Sequence, residues 1–133
     1  MNIINVFKAN SPLQVFTDKR GTIADVFYNK EINHVALIQS EQGVVRGNHY
    51  HKQSTQHILI TQGSLEYWYC SLNETHNPQC YIAVAGDLVT SLPNEIHTMR
   101  MQEYTEFVTF TEGVRGGQDY EADTFRVDNI IPQ

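Results

Sequence analysis

The chain of 133 residues has little basic charge, little cysteine and no long apolar run. Nine Lys and Arg stand against fifteen Asp and Glu, a formal net charge of −6. The basic residues are scattered. A track along a nucleic-acid backbone needs them clustered, so nucleic-acid binding is not expected. No stretch approaches the roughly 18 apolar residues of a membrane helix. The opening MNIINVFKAN lacks the charged-then-apolar pattern of a leader. With two cysteines, this reads as a cytoplasmic protein with reduced thiols. Gly113, Gly116 and Gly117 form no phosphate loop, because no strand-to-helix context follows them. Helical periodicity, internal repeats, low-complexity tracts and linkers are all missing.

What is present is β-strand character and a surplus of histidine. Short runs rich in Val, Ile, Thr, Tyr and Phe recur between turn signals such as Gln42-Gly43, Gln62-Gly63 and Gly86-Asp87. The runs are Ile3–Phe7, Ile23–Tyr28, His34–Gln39, Val44–His51, Gln56–Thr61, Leu65–Cys70, Cys80–Ala85, Ile96–Met101 and Glu106–Phe110. Many short strands at even spacing predict an all-β sandwich or barrel. The length suits a single domain over 1–133, with a core at about 20–110. The acidic segment 112–133 is expected to pack outside the sheet.

Three of six histidines fall between positions 49 and 57. Alternate residues of a strand share a face. Gly47, His49 and His51 therefore belong to one face, and Arg46, Asn48 and Tyr50 to the other. Gln56, Ile58 and Ile60 oppose His57, Leu59 and Thr61, which places His57 on the outer face. An outward Tyr50 and Trp68 would be covered by a dimer interface.

Gly43, five residues, His49, Tyr50, His51, four residues, Gln56, six residues and Gly63 reproduce the spacing of the first cupin motif. Gln56 stands where that motif has Glu. Pro93, Asn94, Glu95, Ile96 and His97 resemble the second motif, with Glu95 in place of its Gly and Met101 in place of its Asn. The chain thus resembles the cupin superfamily, which implies a double-stranded β-helix (jelly-roll) antiparallel barrel. The same resemblance implies a divalent metal, Zn, Fe, Mn or Ni, on His49, His51, Gln56 and His97. Imidazole suits these ions, but Gln brings no charge to offset the cation, so the metal question stays open.

Asp18-Lys19-Arg20-Gly21-Thr22-Ile23 and Gly43-Val44-Val45-Arg46-Gly47-Asn48-His49-Tyr50-His51-Lys52 resemble segments of sugar-nucleotide 3,5-epimerases and 3,4-ketoisomerases. The second is also similar to the cupin domain of capsular-polysaccharide enzymes. Asp119-Tyr120 and Asp123-Thr124-Phe125 resemble the acidic-aromatic endings of these families. The implied function is an isomerase or epimerase of a nucleotide-linked 4-keto-6-deoxy sugar in bacterial surface-polysaccharide synthesis, requiring no cofactor. His49 and His51 would be base and acid, since imidazole titrates near neutrality. Arg20 and Arg46 would hold the pyrophosphate, whose oxygens match the guanidinium fork. Tyr67 or Tyr69 would touch the sugar or base. A homodimer is expected. The alternatives are a metal-dependent cupin of other chemistry, such as an oxygenase or small-molecule isomerase, and a non-catalytic sugar- or metal-binding cupin.

Overall fold

The computed structural model describes residues 1–5, 15–113 and 121–133, and twelve strands lie among them. Ten of them form two five-stranded antiparallel sheets. The first sheet has the order β1 (Asn2–Asn5), β9 (Asp87–Ser91), β6 (Thr55–Gln62), β11 (Thr105–Glu112), β4 (His34–Ser40). The second has the order β12 (Phe125–Arg126), β5 (Val45–Tyr50), β10 (Glu95–Met101), β7 (Ser64–Ser71), β8 (Gln79–Val84). A separate hairpin, β2 (Val15–Asp18) with β3 (Gly21–Ala24), pairs with neither sheet. This is the all-β cupin jelly roll that the motif spacing implies.

The core sits between the sheets because inward side chains alternate along their strands. Ile58 and Ile60 of β6, Phe107 of β11 and Val89 of β9 meet Leu65 and Tyr67 of β7, Ala83 of β8, and Met99 and Met101 of β10. Phe107 and Leu65 have no exposed surface. Truncating such a Phe to Ala costs about 3–5 kcal/mol in a packed core. Gly63 makes the tight β6–β7 turn at φ +88°, where a Cβ would lie 2.3 Å from the Tyr104 carbonyl oxygen.

A second, smaller cluster lies on the outer face of the second sheet. Cys70 and Ile96 pack there with Ile130, flanked by Tyr50, Trp68 and Val127. Tyr50 stacks on Phe125 at 5.3 Å between ring centroids. The chain's own C-terminal segment therefore covers Tyr50 and Trp68, where an interface between copies was the expectation. Cys70 and Cys80 are both free thiols, the first buried and the second exposed.

The strand pattern placed most elements within a residue or two. Three strands escaped it. In β9 only Leu88 and Val89 are apolar, and its start reads as a turn, yet all five residues are buried. β2 and β12 are short and carry little periodic signal. Val6 and Phe7 of the first expected strand lie outside the described residues. No helix of the described residues is long and apolar enough to cross a membrane.

Candidate functional site

The site is built around a bulge. In the β5–β10 pair His97 faces His49, while Thr98 faces Gly47, so β5 carries one extra residue. Gly47 (φ +106°) and Asn48 (φ +57°) absorb it in left-handed backbone. A Cβ on Gly47 would fall 2.6 Å from the His97 carbonyl oxygen, so only glycine lets the strands approach there. The close approach is made by the β10 backbone at His97 and Thr98. Asn48 anchors the bulge, because its Oδ1 accepts from the Thr98 hydroxyl at 2.7 Å.

The bulge changes which side chains share a face. Strict alternation puts Arg46 opposite His49. One inserted residue brings them to the same side, and Arg46 pairs with inward Met99. Both Arg46 and His49 border a cavity of about 320 Å³ between the sheets, together with Gln56, Tyr67, His97 and Arg126. Apolar walls come from Ile38, Ile58 and Phe107, among others. Pockets of this size suit a small molecule fixed by a few polar groups.

His49, His51 and His97 converge. Their ligand nitrogens lie within 4.8 Å of one another. Ring centroids are 4.6 Å apart for His49 and His97, and 4.9 Å for His49 and His51. His49 opens onto the cavity, while His51 is buried and is not among its lining residues. His51 Nδ1 lies 2.6 Å from the Asp123 carbonyl oxygen. Burial pushes the His97 imidazolium well below its ordinary pKa, and the neighbouring His49 and His51 add to this. His97 is therefore neutral at pH 7.

Neutral imidazole is the form that binds metal. A zinc-type ion at about 2.1 Å sets tetrahedral ligands roughly 3.4 Å apart, so the three nitrogens fit one after modest closure. No carboxylate joins this set among the described residues. Gln56 borders the same cavity and is the neutral amide in place of one.

Tyr67 forms the floor. Its ring lies nearly parallel to His97, at 10°, and its hydroxyl bonds to the Ser91 hydroxyl. Complete burial holds the phenol protonated, well above its ordinary pKa, with Glu95 and Tyr69 contributing. Tyr69 lies beyond this floor and lines a different pocket, with Glu74 and Glu95. Arg20 is at the turn of the β2–β3 hairpin, exposed and paired with Asp18 at 2.6 Å. It does not border the cavity of its own chain.

Arg126 was not foreseen. It stands opposite His49 in the β12–β5 pair, and both its terminal nitrogens donate to Glu121 at 3.0 Å. Only the acidic-aromatic run just before it gave any hint of that segment. His57 keeps the outward face that parity assigned, but it is buried there. Its Nδ1 meets the Thr90 hydroxyl at 2.8 Å and its Nε2 meets Glu112 at 2.6 Å.

Comparison with solved structures finds the same fold in several proteins. A 3,4-ketoisomerase from Helicobacter canadensis superposes with a TM-score of 0.74 at 19% identity, covering 95% of this chain and 90% of that one. The dTDP-4-dehydrorhamnose 3,5-epimerase of Sulfolobus tokodaii gives 0.71 at 18% identity, covering 90% of this chain and 76% of that one. CapF, a capsular polysaccharide assembling protein of Staphylococcus aureus, gives 0.63 at 18% identity, covering 90% of this chain and 35% of that one. No curated protein matches the sequence. The family model described as polysaccharide biosynthesis C-terminal domain matches residues 16–109, more than half of the chain. The chain belongs to the family of polysaccharide biosynthesis C-terminal domains.

Proposed function

We propose that the cavity binds a nucleotide-linked 4-keto-6-deoxy sugar and moves a proton next to its ketone, as an epimerase or ketoisomerase of surface-polysaccharide synthesis. One observation carries this reading: His49 borders a cavity with a protonated phenol at its floor and two arginines among its lining residues. The ketone at C4 acidifies the hydrogens on C3 and C5. His49 is the base that takes one of them, the electron pair moves onto the C4 oxygen, and a proton returns at another atom or face. His51 stands behind His49 and supports it. Arg46 and Arg126 take the pyrophosphate, with Arg126 exchanging its contact to Glu121 for phosphate oxygens.

Similarity of fold supports the substrate class. A solved complex of the ketoisomerase QdtA, at 16% identity and a TM-score of 0.72, holds TDP-4-keto-6-deoxyglucose. The test is incubation with dTDP-4-keto-6-deoxyglucose in deuterated water. Deuterium at C3 or C5 is the expected result, and its absence with bound substrate counts against this chemistry.

A metal-dependent site is a second reading, favoured by the convergence of three imidazoles. His49, His51 and His97 would hold the ion, which when bound would polarise the ketone. Elemental analysis of untagged protein decides it: stoichiometric metal supports this reading, and none removes it. A homodimer is also proposed. The β2–β3 hairpin joins neither sheet and exposes Phe16 and Ile23, and the edge strand β4 exposes Val35 and Leu37. A second copy would cover them. Light scattering at micromolar concentration reads twice the chain mass if it does.

A further inference from the structure

Asp123 lies 72 residues beyond His51 and makes two kinds of contact that converge on it. Its carboxylate accepts from three consecutive backbone N–H groups, those of Lys52 at 2.9 Å, Gln53 at 3.2 Å and Ser54 at 3.0 Å. The Ser54 hydroxyl adds a fourth donor at 2.9 Å. Its backbone carbonyl oxygen meets His51 Nδ1 at 2.6 Å. Asp123, Ser54 and His51 are all buried. Burial alone would raise the Asp123 carboxyl, but the donors from Lys52, Ser54 and Gln53 outweigh it and hold the group below its ordinary pKa.

A carbonyl oxygen can only accept. The proton of a neutral His51 ring therefore sits on Nδ1, and the lone pair is on Nε2. The segment that carries this carbonyl is anchored by the carboxylate on the turn directly after His51. One residue thus fixes both the ring and the loop that would let it move. Asn at this position would offer one acceptor oxygen and an NH₂ that opposes the converging donors.

We propose that Asp123 is a positioning residue of the site: it locks His51 in the Nδ1–H tautomer, with Nε2 available to the histidine cluster. This gives the acidic-aromatic run Asp123-Thr124-Phe125 a task. Phe125 stacks on Tyr50 and lies 4.4 Å below the Lys52 ammonium, closing the same clasp from outside.

Ring-nitrogen NMR shifts of full-length protein test it. In the unaltered protein His51 is expected to show a protonated Nδ1 and a lone-pair Nε2. Asp123→Asn and Asp123→Ala should shift it towards the Nε2–H tautomer common in unrestrained histidine, with the shifts of His57 unchanged. A folded Asp123→Asn variant whose His51 signature matches the parent overturns the proposal. Should Asp123→Ala fail to fold, Asp123→Asn decides by the same criterion. A second arm rests on the nucleotide-sugar reading: Asp123→Asn should slow deuterium exchange roughly 10- to 100-fold, as loss of an orienting partner does. Substrate affinity should stay close to the parent's, because the carboxylate is not among the cavity's lining residues. Unchanged tautomer with slowed exchange contradicts the proposal. Shifted tautomer without any exchange in the parent supports the positioning and refutes only the chemistry.

Discussion

Gln56 and His57 are neighbours in sequence but serve two different buried sites on opposite faces of one sheet. Gln56 borders the inner cavity with His49 and His97. His57 is held on the outer face between Thr90 and Glu112, with the Phe27 ring edge-on at 4.8 Å. Burial lowers the pKa of both His57 and His97. The cause of the rest differs. At His97 other imidazoles reinforce the shift, whereas at His57 the Glu112 carboxylate opposes it. A neutral His57 accepts from the Thr90 hydroxyl and donates to Glu112, so both ring nitrogens are used within the fold. Burial and a shifted pKa alone therefore do not mark a reacting histidine. The proposed assignment of the reacting histidine rests instead on convergence at a cavity.

The contrast can be broken at several points. The largest effect on the inner site is expected from Gly47→Ala. Its left-handed backbone and the overlap with the His97 carbonyl should cost roughly 2–4 kcal/mol, read as a lower denaturation midpoint. Displacing β10 from β5 should also separate His97 from His49. His57→Ala should destabilise the outer site by roughly 2–3 kcal/mol, because it leaves the buried Thr90 hydroxyl without its partner. Exchange activity of the folded fraction should hold. Arg126→Ala, and separately Arg46→Ala, should weaken dTDP binding by about tenfold, near 1.4 kcal/mol, in calorimetric titration.

The smallest effect is in the pH dependence of stability. The folded pKa of His57 lies below the ordinary value of about 6.5. Between the two values the unfolded chain binds the extra proton, so stability declines as pH falls below about 6.5. His57→Gln should flatten part of that slope in urea titrations run from pH 7 down to 5. A slope identical to the parent's would mean that His57 binds its proton equally well in the folded and unfolded chains.

The sequence made the fold legible because the two motifs span hairpins whose spacing is set by turns. It also read correctly that Gln56 and His57 face apart, since β6 is regular. The facing of Arg46 was illegible. A single inserted residue at Gly47–Asn48 reverses parity, and the Gly-Asn pair permits such a bulge without requiring one. The parts of Arg126 and Asp123 were hidden for another reason. Their contacts reach back across about 70 residues or more to β5 and the turn after it, and no local pattern encodes pairing at that range. Arg20 shows the converse: its motif is visible, yet the hairpin carries it away from the cavity of its own chain.

The most direct measurement compares His49→Asn with His57→Asn in one assay, deuterium incorporation into dTDP-4-keto-6-deoxyglucose. A general base contributes roughly 10²- to 10⁴-fold. His49→Asn should lose exchange on that scale, while folded His57→Asn keeps the parent's rate. Equal losses in the two variants, or an undiminished rate in His49→Asn, would contradict the assignment of the inner histidines as the reacting site.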